Sequence, residues 1–148
     1  MMSLSKFLLD GAGSGVYTAP PDIGVLQERA VAGGLAWVVL DLAGVADKAG
    51  FLARCDTAFS MPAWFGRNWD ALADALEDLS WLPARGCVVH CRNGAEFARH
   101  SPADFSTALA ILAAAATYWQ TRGKLFAVLV DPEAARACRP ALPPFPAG

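Results

Sequence analysis

Three apolar runs constrain what this chain can fold into: Ala36-Trp37-Val38-Val39-Leu40-Asp41-Leu42, Cys87-Val88-Val89-His90-Cys91 and Leu125-Phe126-Ala127-Val128-Leu129-Val130. A strand with one face in water alternates apolar and polar residues, whereas a strand covered on both faces reads as an unbroken apolar run. Helical patterns separate the runs. Asp47 can cap a helix through about Phe59, with Phe51, Leu52, Cys55 and Phe59 at helical spacing. Asn68 can cap a second helix to about Ser80. Ser101 followed by Pro102, a cap and a first-turn proline, opens an alanine-rich helix that ends at Gly123. Buried strands alternating with helices predict an α/β fold, a small three-stranded parallel sheet packed with helices.

That domain occupies residues 35–139. Residues 1–34 read as an N-terminal extension: the breaker Gly11-Ala12-Gly13-Ser14-Gly15, a short edge strand at Val16-Tyr17-Thr18 stopped by Pro20-Pro21, and one short helix from Asp22 to Val31 ended by Gly33-Gly34. Residues 140–148 form a tail rich in proline (Pro140, Pro143, Pro144, Pro146) that is expected to be irregular. The apolar run near the start is too short for a signal-peptide core, and Asp10 interrupts it. The stretch Phe105 to Trp119 falls short of the roughly 20 residues that span a bilayer. A cytoplasmic location without membrane attachment is therefore expected. With 55% hydrophobic residues and a net charge of −2, the chain can bury a core but lacks the basic footprint of a nucleic-acid binder.

Cys55, Cys87, Cys91 and Cys138 contain no CxxC pair. On a strand, Cys87 and Cys91 face one way and His90 the other, so the cysteines read as small buried thiols rather than metal ligands. No cofactor or metal is expected.

The segment Pro62–Leu79 is the most informative. Placed on a helix, Trp69, Leu72, Leu76 and Leu79 share one face, while Asp70, Asp74, Glu77 and Asp78 gather on the other. No lysine or arginine lies between Arg67 and Arg85. A solvated helix face is one explanation. Against it, Asp70–Asp74 and Asp74–Asp78 are like-charged i,i+4 pairs, each costing about 0.2–0.5 kcal/mol. Glu77 and Asp78 also lie toward the negative end of the helix dipole. Local rules broken without compensation point to a binding surface. A hard cation, a catalytic carboxylate pair and a strongly basic protein surface are the three occupants to weigh. Hard cations usually gather oxygens from loops or strand ends, and a catalytic pair needs environments that separate two pKa values.

Here the sequence resembles the barstar family, intracellular protein inhibitors of ribonucleases. Pro62, Trp64, Phe65, Gly66, Asn68, Trp69, Asp70, Ala71, Leu72, Asp74 and Leu76 fill that family's pattern in register. The resemblance implies that Asp74 is the central acid entering a ribonuclease active site and that Asp70 pairs with a neighbouring basic residue. It implies that Trp64 packs at the mouth of that site, that Gly66 and Asn68 shape the binding loop, and that Phe65, Trp69 and Leu72 are packing residues. Glu77 and Asp78 add negative charge beyond the motif, and Arg67 adds a positive charge inside the loop that opposes a basic partner unless it pairs with an acid. The implied partner is a basic ribonuclease. Self-association has no support in the sequence.

Two other functions compete. The same helix could serve a non-nuclease interaction module. A small metal-dependent α/β enzyme could use Asp41 and Asp131, which stand near strand C-termini where open α/β sheets bind ligands. That reading lacks a glycine-rich phosphate loop.

Overall fold

The computed structural model describes Leu8 and residues 11–145. The expectations for Met1–Asp10, Leu8 apart, and for Pro146 lie outside the described residues. The three apolar runs form strands β2 (Ala36–Asp41), β3 (Cys87–Arg92) and β4 (Phe126–Val130), and the edge strand β1 (Gly15–Thr18) joins them. The sheet thus has four strands, not three, in the order β1-β4-β3-β2, and every pairing is parallel. Val16-Tyr17-Thr18 belongs to the same sheet because it pairs with Val128-Leu129-Val130 in register. The tail is anchored as well: Thr18 N–H donates to the Pro143 carbonyl at 2.8 Å, Phe145 N–H donates to the Thr18 carbonyl at 3.2 Å, and the Phe145 ring packs edge-on against Tyr17. Irregular as it is, the tail as far as Phe145 pairs with the end of β1 at Thr18.

Side chains alternate between the two faces of the sheet, as strand geometry requires. Val38, Leu40, Cys87, Val89, Cys91, Phe126, Val128 and Val130 enter one core, against helices α2 (Lys48–Ala58), α3 (Trp69–Leu76), α4 (Ala95–His100), α5 (Pro102–Gln120) and α6 (Pro132–Ala135), which follow α1 (Ile23–Ala32) in the chain. Val88, Ala127 and Leu129 face the other way, against Leu26 and Ala30 of α1, Leu8 and Phe145. All five residues of β4 are buried, as expected for a strand covered on both faces. All four cysteines are free and buried, and burial pushes the thiols of Cys87 and Cys91 up to about 12.

Helix boundaries follow local chemistry. The Asp47 carboxylate caps α2 by accepting from Gly50 N–H at 2.8 Å. Pro102 occupies the first turn of α5, but Ser101 is not its side-chain cap: the Ser101 hydroxyl donates instead to the Ala46 carbonyl at 2.7 Å, tying α5 to the loop before α2. The sequence pattern does not predict helices α4 and α6, which are short segments whose stability comes from the buried Phe97, Ala98, Ala134 and Ala135 rather than from their own pattern. No helix among the described residues is long and apolar enough to cross a membrane.

Candidate functional site

The loop after α2 and helix α3 carry the candidate contacts. Asn68 is extended, and its Oδ1 accepts from Ala71 N–H at 2.8 Å, which satisfies one of the free donors at the start of α3. Gly66 makes room for that cap, since a Cβ there would lie 3.2 Å from Asn68 Nδ2. Asp70 follows in the first turn, where a carboxylate suits the helix dipole. Leu72, Ala75 and Leu76 are buried, fixing the rotation of the helix and leaving Asp70 and Asp74 exposed on the opposite side. Residues at i and i+4 stand about 5–6 Å apart at Cβ, so the two carboxylates form a short acidic row. Neither has an ion-pair or hydrogen-bonding partner among the described residues.

The row is shorter than expected. Helix α3 ends at Leu76, with Glu77 as its C-cap, and does not continue to Ser80. Trp119 of α5 accounts for this end: its indole N–H donates at 2.7 Å to the Leu76 carbonyl, which a further helical turn would have used. Glu77 is therefore a half-buried capping residue, and Asp78 lies beyond the helix. Asp78 instead borders a cavity of about 250 Å³ with Trp119, Lys124 and Phe126. The expected Asp74–Asp78 pair does not share a helix.

Phe65 is buried beneath the loop, and Trp64 is 54% exposed. Trp69 packs half-buried against Phe51, and Lys48 Nζ lies 5.2 Å from its ring centroid. Trp64 rests edge-on against Trp81, which the sequence did not single out; the ring centroids are 6.0 Å apart. Trp81 is itself fixed by its indole N–H to the Phe59 carbonyl at 2.9 Å. An exposed tryptophan held by a second one is an apolar anchor of the residue type enriched at energetically dominant interface positions.

Arg67 does not oppose this surface freely. Its guanidinium pairs with Asp56 of α2 (Nη2–Oδ2 2.9 Å, Nε–Oδ2 3.0 Å). Its backbone is left-handed, φ 50°, as are those of Ser60 (49°) and Leu79 (51°). Each such conformation costs a non-glycine residue about 1–2 kcal/mol. An exposed ion pair returns only about 0.2–1 kcal/mol. The segment that carries every candidate contact is thus bracketed by two strained residues, Ser60 and Leu79, with a third, Arg67, inside it, and local stability does not explain them.

A second polar cluster ties the strand C-termini together. Asn93 Nδ2–H donates to Asp41 Oδ1 at 3.0 Å, Asn93 N–H donates to Asp131 Oδ2 at 3.1 Å, and Asp131 Oδ1 lies 2.9 Å from His90 Nε2. The Asn93 amide, then Ala43 N–H, hold the Asp41 carboxyl below its ordinary range. Both acids of the enzyme reading are thus engaged in joining β2, β3 and β4. No group of three or more His, Cys, Asp or Glu side chains among the described residues is placed to hold a metal ion.

The chain matches no curated protein. A family model described as Barstar (barnase inhibitor) matches residues 35–131, which takes in β2 through β4 and the whole of the loop and α3.

Proposed function

Because this chain belongs to the barstar family, we propose that it is a protein inhibitor that occludes the basic active site of a ribonuclease with helix α3 and the loop before it. One observation carries the reading: Asp70 and Asp74 are exposed on one helix face and unpaired among the described residues, and the loop that leads into that helix exposes Trp64. A ribonuclease holds phosphates with arginine, lysine or histidine, and a rigid pair of carboxylates can occupy those positions. Gly66 and Asn68 shape the approach, and Glu77 and Asp78 extend the negative field past the end of the helix. Complementary charge would steer encounter, and a few desolvated pairs would set the lifetime of the complex. In this reading the chain itself catalyses nothing and acts in the cytoplasm.

The test is inhibition. Purified protein is titrated against barnase and a panel of other small basic ribonucleases while cleavage of a fluorescent RNA is followed. Stoichiometric loss of activity for at least one enzyme, relieved by Asp74→Ala, supports the reading. If no ribonuclease is bound while an unrelated basic protein is, the surface serves a different partner.

A further inference from the structure

Asp56 stands on α2, outside both the acidic row and the loop, yet it holds the two ends of that loop. Its main-chain carbonyl accepts from Met61 N–H at 3.0 Å, and its carboxylate holds Arg67 through Nε and Nη2. Between these anchors run Pro62 to Gly66, with Trp64 turned outward and Phe65 inward. A single turn bond, Phe65 N–H to the Pro62 carbonyl at 2.9 Å, supports the middle.

Building on the inhibitor reading, we propose that Asp56 is a positioning residue that closes the 61–67 loop into its docking shape, with Arg67 as the latch and not as a contact for the partner. The left-handed backbone at Arg67 has no local advantage for an arginine, but it accompanies a side chain that reaches back to α2. The ion pair neutralises the one positive charge that the loop sequence carries between Met61 and Asn68. The latch also sits one residue before Asn68, so the same closure places the cap from which α3 and its carboxylates start. Pre-ordering a loop in its bound shape lengthens the life of a complex by removing an ordering cost from binding.

The test has two arms, using Asp56→Asn, Arg67→Gln and the double variant. In the free protein, amide hydrogen exchange at Met61 and Phe65 is expected to accelerate about two- to fivefold in each single variant, as the loss of an exposed ion pair allows, and no further in the double, while Val128 and Leu129 in β4 are unchanged. Unchanged exchange at Phe65 in Asp56→Asn, or additive effects in the double variant, overturns the latch. In the second arm, dissociation from barnase, or from the panel ribonuclease that wild type inhibits most strongly, is measured at 0.5 M salt (about a 4–5 Å Debye length), where distant charges are screened. Asp56→Asn is expected to dissociate about fivefold faster. If exchange accelerates but dissociation does not, the loop is latched for a reason other than docking. If wild type binds no ribonuclease, the inhibitor reading fails, and the exchange arm still decides the latch.

Discussion

The indole N–H of Trp119 donates to the Leu76 carbonyl at 2.7 Å, joining the last turn of α5 to the last turn of α3. The bond spans 43 residues of sequence and sets where the acidic helix stops. Trp119→Phe keeps an aromatic ring but removes the donor and part of the indole's packing. Leaving a part-buried carbonyl unsatisfied costs about 1–3 kcal/mol, so thermal or urea unfolding should show a loss in that range. The exchange of amides at Glu77 and Asp78 should rise with it.

Binding and stability should separate at the two aspartates. Asp74→Ala is expected to weaken the ribonuclease complex by at least about 30-fold, the loss expected of a central interface residue worth about 2 kcal/mol. Asp70→Ala is expected to cost less binding. Stability runs the other way: either alanine relieves the Asp70–Asp74 repulsion, but only Asp70, in the first turn, gives up a favourable interaction with the helix N-terminus, worth about 0.3–1 kcal/mol. Calorimetric titration together with thermal melts of both variants checks the two rankings. The association rate of wild type should also fall as salt rises, and less steeply in Asp70→Asn/Asp74→Asn.

Asp41 makes stability depend on pH in a defined direction. Its folded pKa lies below the ordinary 3.8, chiefly through Asn93 and then Ala43 N–H. The contribution is therefore present above the ordinary carboxylate range and is lost as pH falls through the folded value. Asn93 has φ 57°, so Asn93→Gly tolerates the backbone while removing the amide donor. In that variant the Asp41 carboxyl, followed by carbon NMR, should titrate closer to 3.8, and less stability should be lost on acidification.

The core thiols should be silent until the fold opens. With Cys87 and Cys91 raised to about 12, roughly one molecule in ten thousand carries the thiolate at pH 8 even before access is considered. Native protein should react with a thiol reagent at Cys87 and Cys91 only at the rate of opening, and both should react promptly in denaturant. Rapid native labelling at Cys91 would contradict its placement against the helical layer.

The strands were legible because burial on both faces leaves a direct trace in composition, as at Leu125–Val130. The start of α3 was legible because capping is local: Asn68 and Ala71 are three residues apart. Its end was not, because the residue that ends it, Trp119, belongs to another helix. Asp56 and Trp81 leave no local trace in the sequence for the same reason; each matters through a contact distant in sequence, with Arg67 and Trp64 respectively. The edge strand at Val16–Thr18 was visible as a strand, but its partner, β4, more than 100 residues onward, was not.

That last pairing bears on how the chain folds. Gly15 aligns with Ala127, and Thr18 is then met by Pro143 and Phe145, so one edge of the sheet is assembled from segments at opposite ends of the described chain. Contacts of such sequence separation raise contact order and slow folding. Emerging N-terminal first from a ribosome, β1 would have to wait, unpaired, until β4 had followed it. The first strand among the described residues is among the last that can find its place.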